Sequence, residues 1–183
     1  MKSPATDLEI IEAFAQKASR ERAFRQLVET YQEKLYYHIR KLVIKHEDAD
    51  DLLQDTFVKA YQHLHNFKGN SSLFTWLYRI ATNEALGFLR KKKNKFFLPI
   101  HDYNAELKEQ VSHNLSPDAN EVELKLQQAL LALPDKQRLV FNLRYYDEMP
   151  YEQIAEITQT SVGSLKASYH LAAKKVENFI KHI

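Results

Sequence analysis

Cysteine is absent from all 183 residues, which excludes disulfide frameworks and thiolate metal sites. Glycine and proline number only three and five, so sharp turns are few, and the plentiful Leu, Ala, Glu, Lys and Gln favour helix. No apolar run reaches the roughly 18 residues that a membrane-spanning helix needs. The opening residues Met1–Asp7 lack the apolar core of a secretory signal. These absences predict a soluble, cytoplasmic protein that is not inserted into a membrane.

Net charge is also small, +2 at pH 7, but it is distributed in blocks. Residues 47–55 carry five acidic groups and no basic one, whereas residues 90–95 carry five basic groups. Residues 101–123 turn acidic again, with six acids against Lys108, and 166–181 is basic through Lys166, Lys174, Lys175 and Lys181. Alternating blocks suit several partners of opposite preference, or ordinary solvated helix faces.

Helical periodicity organises the first half. Phe24, Leu27, Val28, Tyr31, Leu35, Ile39 and Leu42 make one stripe of three-four spacing. Ala49, Leu52, Leu53, Phe57, Ala60, Tyr61 and Leu64 make a second, and Leu73, Leu77, Ile80, Ala81 and Phe88 a third. A shorter helix is expected to start near Thr6 or Asp7, both good N-cap types. From about Asn94 to Asn120 the pattern stops, and Pro99 and Pro117 interrupt a polar stretch too long for a bundle loop. It resumes at Glu121, and Pro134 opens a further helix. The predicted fold is all-α, with two small helical domains: 1–95, a flexible acidic linker over 96–120, and 121–183.

Two segments carry chemistry. Asn66–Ser72 is a Gly/Asn/Ser loop that leads into a helix crowded with aromatic and hydrogen-bonding side chains, Phe74, Thr75, Trp76, Tyr78, Arg79 and Asn83, and ends in the cationic block. Aromatics beside phosphate-binding cations suit a surface that holds unstacked bases. Leu77 and Ile80 point inward, so some of these aromatics complete the core. In the second segment, Pro150–Ile157 reads as a short helix, Thr158–Ser161 as a break, and Val162 onward as a long helix to about Phe179. That is helix-turn-helix spacing, with Ile154, Ala155, Val162 and Leu165 at the crossing, Ser161 as cap and Tyr169 in the core. A plain packing corner is the alternative.

Taken together, the chain resembles a bacterial RNA polymerase sigma factor of the extracytoplasmic-function (ECF) type. Glu47–Tyr61 resembles region 2's polymerase-binding helix, Phe67–Gly69 through Phe74–Asn83 resembles the melting and minus-ten segment, and Leu133–Pro134 with Tyr151–Lys175 resembles region 4. The resemblance implies that Asp51, Leu52, Gln54, Asp55 and Phe57 dock on the clamp coiled coil of core polymerase, with the flap as a further polymerase contact. It implies that Lys68, Gly69, Asn70, Ser71 and Ser72 capture a flipped base, with Thr75, Trp76, Arg79 and Asn83 beside the melted strand and Arg90, Lys91 and Lys92 on phosphates. Ser161, Ser164, Lys166, Ala167, Ser168, His170, Leu171 and Lys174 would meet double-stranded minus-thirty-five DNA. An anti-sigma factor is a further candidate partner, since many members are held inactive by one.

This chain departs from the family in region 4. Many members carry several arginines on the recognition helix, and here Ser168, Leu171 and Ala173 stand instead. Arginine makes the strongest bidentate contact to guanine, so weaker or A/T-tolerant readout is expected. The acidic tether reads either as a nucleic-acid mimic in the RNA exit channel or as a solvated spacer. Two other functions compete. A stand-alone DNA-binding regulator leaves 66–83 unexplained. A metal-dependent nuclease built on the Glu47–Asp55 carboxylates lacks an assembled nucleophile and base. The reading therefore includes no catalytic residue, no metal and no cofactor.

Overall fold

The computed structural model describes residues 6–43, 45–96 and 121–181. Eight α-helices form over these residues: α1 Asp7–Ala15, α2 Arg20–Arg40, α3 His46–His63, α4 Leu73–Phe96, α5 Glu121–Leu131, α6 Asp135–Tyr145, α7 Tyr151–Thr158 and α8 Val162–Lys181. A 3₁₀ turn, Leu64–Asn66, closes α3. Apart from Phe96, the expected linker 96–120 lies outside the described residues.

Helix α1 starts where Thr6 closes a capping box. Its hydroxyl accepts from Glu9 N while the Glu9 carboxylate accepts from Thr6 N, so two otherwise orphaned donors are satisfied. Ile10 and Phe14 are then buried against α2 and the aromatic rings of Phe24 and Tyr61. The three predicted stripes form the core, although Phe24, Val28, Leu53, Phe57, Tyr61, Ile80 and Phe88 are only half-buried. Polar residues join them. Thr56 is buried because its hydroxyl back-bonds to the Leu52 carbonyl at 2.7 Å, and His38 because its Nε2 meets Thr82 Oγ1 at 2.8 Å. Burial first, and the Lys41 cation second, hold His38 neutral, its pKa down from 6.5 to about 3.

In the second half, α5, α6 and α7 pack against α8. A small core of Ala129, Leu130, Leu133, Phe141, Ala172 and Val176 belongs to this half alone. The larger core extends across the boundary between the two expected units. Leu139, Val140, Leu143, Met149, Ile154, Ile157 and Leu165 are continuous with the buried side chains of α1–α4, and α7 packs on α4. The halves thus share one apolar interior. Helix α6 explains why: residues 138–143 are all buried, as expected of a helix covered on every side.

Candidate polymerase and nucleic-acid interfaces

Helix α3 presents Glu47, Asp51, Gln54, Asp55 and Val58 to solvent, at the three- and four-residue spacings that share a helix face. Val58 is 55% exposed, an apolar spot within an acidic surface. The sequence reading missed it, although its position three and four residues beyond Asp55 and Gln54 placed it on that face. One predicted docking residue is corrected: Leu52 is only 6% exposed and lies in the core, beneath the acidic face. Phe57 is half-buried, edge-on to Phe24 at 6.3 Å. Among the described residues, no group of three or more His, Asp or Glu is placed to hold a metal ion.

The loop before α4 turns at Gly69, whose φ of +70° is left-handed, a conformation that only glycine adopts without strain. This turn leaves Lys68, Asn70 and Ser72 exposed and Ser71 half-exposed. Ser72 has a structural duty as well. Its Oγ accepts from Thr75 N at 3.1 Å and donates to Thr75 Oγ1 at 2.9 Å, which makes it the cap of α4. Thr75 is only 2% exposed, so it is corrected from a strand contact to part of that cap.

The aromatics divide as expected. Tyr78 is buried between Phe74, at 4.2 Å, and His38, at 4.6 Å, and burial pushes its pKa above the usual tyrosine range. Trp76 is half-buried with its ring 5.4 Å from Phe67, leaving one side at the surface beside the loop. Further along α4, Arg90 and Lys91 are exposed. Lys92 is corrected: it pairs with Asp48 of α3 at 3.1 Å and lies over the Phe88 ring, which ties α4 to α3 and takes it from phosphates. Lys93 pairs with Asp135 of α6 at 2.8 Å.

The helix-turn-helix is present as α7, the turn and α8. Gln159 makes the turn at φ 55° and ψ 39°, the left-handed position at a helix C-terminus where glycine is usual. Ser161 caps α8, accepting from Ser164 N at 3.3 Å and donating to Ser164 Oγ. Lys166, Ala167, His170, Leu171 and Lys174 are exposed on one side of α8, and Lys166 Nζ lies over the Tyr151 ring. Tyr169, expected in the core, is half-buried and stacks on Phe141 at 5.7 Å.

Ser164 and Ser168 turn elsewhere. With Asn83 and Leu86 of α4, Lys136 of α6 and Thr160 of the turn, they line a cleft of about 290 Å³. Beside it, Arg79 Nε donates to the Glu156 carbonyl at 3.1 Å. Residues expected to meet two different DNA elements therefore face each other.

Comparison with known proteins agrees with this geometry. Residues 27–95 match the family model for Sigma-70 region 2, and residues 123–176 match that for Sigma-70, region 4. The ECF RNA polymerase sigma factor SigW of Bacillus subtilis is 35% identical over 156 residues, 81% of this chain and 83% of SigW. The RNA polymerase sigma-H factor of Pseudomonas aeruginosa is 32% identical over 170 residues, 87% of each chain. The ECF sigma-E factor of Escherichia coli is 30% identical over 189 residues, 99% of this chain and 97% of its own. Among solved structures, CnrH in complex with the cytosolic domain of CnrY superposes with a TM-score of 0.68 at 24% identity, covering 96% of this chain and 97% of that one. The Bartonella quintana sigma factor RpoE, solved in complex with the anti-sigma factor NepR, gives 0.66 at 24% identity, covering 87% and 97%. With its acidic α3 face, its Gly69 loop leading into α4 and its helix-turn-helix all in the family's order, the chain belongs to the ECF sigma factors of bacterial RNA polymerase.

Proposed function

We propose that the chain docks on core RNA polymerase through α3 and reads promoter DNA at two points, with α4 and its leading loop at the minus-ten element and α8 at the minus-thirty-five element. The carrying observation is one helix face that holds Glu47, Asp51, Gln54 and Asp55 in water, with the exposed Val58 at its C-terminal end. Such a face favours a cationic partner that also covers the apolar side chain. The clamp coiled coil has that chemistry, and the flap takes region 4.

At the minus-ten element, Asn70 offers both donor and acceptor to a base edge, and the turn at Gly69 lets the backbone approach closely. Trp76 supports the melted strand, and Arg90 and Lys91 hold phosphates. Opening needs no hydrolysis, because base capture and polymerase contacts offset the cost of unstacking. The protein is thus an initiation factor rather than an enzyme, and it works in the cytoplasm beside the polymerase; among the described residues, no helix is long and apolar enough to cross a membrane. At the minus-thirty-five element, Lys166, His170 and Lys174 supply phosphate and base contacts without an arginine fork. An anti-sigma factor, such as the one in the RpoE–NepR complex, would compete for these faces.

The test adds the protein to core polymerase and a genomic promoter library, maps transcript starts, and locates single-stranded thymines with permanganate. Core-dependent initiation is expected. Asn70→Ala should reduce opening more than core binding, and equal losses in both would refute the base-capture assignment.

A further inference from the structure

Helix α8 lacks the usual means of reading bases. It contains no arginine, and no asparagine or glutamine before Asn178, so the forked pairs that those side chains make with guanine or adenine are missing. Its charge is of one sign, because residues 162–176 include no acid while Lys166, Lys174 and Lys175 are cationic and His170 can become so. Such charge attracts any duplex through its phosphates and selects no sequence.

The outward side of α8 carries something else. Leu165, Ala172 and Val176 are buried, which turns Ala167, His170, Leu171 and Lys174 away from the core. Leu171 is 50% exposed. A single exposed leucine is common on protein surfaces, but this one has Ala167 one turn before it and Lys166 and Lys174 on either side along the axis. Once the cations hold the backbone, the apolar pair lies in the groove, where it gains only by covering apolar surface. The major groove offers one such group, the C5 methyl of thymine.

We propose that Leu171, with Ala167, reads thymine through its methyl group, so that methyl contact rather than hydrogen bonding is the main source of minus-thirty-five specificity in this chain. Ala167 and Leu171 stand about 6 Å apart along the axis, at ~1.5 Å per residue, which covers one to two base steps at ~3.4 Å each. The favoured element thus has two thymines on neighbouring or next-neighbouring steps. Each contact contributes about three- to fourfold in affinity, the effect of burying one methyl-sized group. Lys166 is drawn toward α7 by the Tyr151 ring, 5.8 Å from its Nζ, which leaves the centre of this side to the apolar pair. The inference rests on the placing of α8 at the minus-thirty-five element.

Deoxyuridine isolates the methyl, since it keeps every hydrogen-bonding group of thymine and loses only that carbon. Holoenzyme reconstituted with the full chain is titrated onto a promoter recovered from the genomic library, and each minus-thirty-five thymine on either strand is replaced in turn. One or two replacements should weaken binding about three- to fourfold. In Leu171→Ala holoenzyme, one of those sites should bind thymine and deoxyuridine DNA alike, whereas Lys174→Ala should weaken both and leave their ratio unchanged. Because Leu171 lies at the surface, its substitution spares the core. An element without A·T pairs, the lack of any sensitive thymine, a ratio that survives in Leu171→Ala, or one that Lys174→Ala also abolishes overturns the methyl readout. If scrambling the whole element lowers affinity while no thymine is sensitive, the placing of α8 stands and the inference alone fails. If scrambling changes nothing, that placing falls as well.

Discussion

Ser72 separates a structural duty from a functional one, and the difference is measurable. Replacing it by Ala removes the Oγ that accepts from Thr75 N at 3.1 Å, an N-cap loss of about 1 kcal/mol. It also takes away the 2.9 Å partner of Thr75 Oγ1, a hydroxyl on a residue only 2% exposed. A buried hydroxyl without a partner costs about 1 kcal/mol more. The sum, about 2 kcal/mol, corresponds to a fall in Tm of about 4–8 °C for a chain of this size. Ser72→Asp keeps an acceptor at the cap and adds negative charge where the helix dipole favours it, so its Tm should stay within about 2 °C of wild type. The same carboxylate would repel a DNA strand at the loop, so Ser72→Asp should fold well and open promoters poorly. Thermal unfolding followed by circular dichroism at 222 nm reads the first effect and permanganate footprinting the second. A Ser72→Ala protein that melts with the wild type, or a Ser72→Asp protein as destabilised as Ser72→Ala, would refute the cap.

Other expectations follow from the same geometry. Folded His38 has its pKa lowered to about 3, so the unfolded chain binds the proton first, and stability, full above pH 6.5, declines as pH falls from there toward 3; His38→Gln should flatten denaturant-derived stability by about 1.4 kcal/mol per pH unit in that window, and an unchanged slope would rule out His38 as its source. Val58→Ser should leave the helical spectrum unchanged and weaken core polymerase binding about three- to tenfold, as removing a buried apolar contact of about 1 kcal/mol would; equal affinity in a binding titration would remove Val58 from the interface. Gln159→Gly should raise stability by about 0.5 kcal/mol, because relief of left-handed strain slightly exceeds the added freedom of the unfolded chain; a lower urea midpoint would contradict this.

Much of the site was legible because it is local. The acidic α3 face, the Gly69 loop and the two helices around Gln159 follow from residue types at short spacings, and a helix fixes which neighbours share a side. What escaped was decided by distant partners. Ser72 and Thr75 look like base contacts until the loop turns them onto each other. Lys92 looks like one more phosphate ligand until α3 brings Asp48 beside it. Arg138 and Asn142 look like solvated positions, although the run Leu139–Val140–Phe141 beside them was a sign of a helix covered all round.

By itself, the sequence determined the all-helical class, the placing of the helices, the acidic face of α3 and the helix-turn-helix, because caps and three-four periodicity act over a few residues. It predicted two helical units, and tertiary structure decided that they pack against each other. Arg138, Asn142 and Asp147 find their partners about a hundred positions away in sequence, at a helix end whose unmet carbonyls no local pattern announces. That the two units meet at this helix end depends on those long-range contacts, and periodicity carries no record of them.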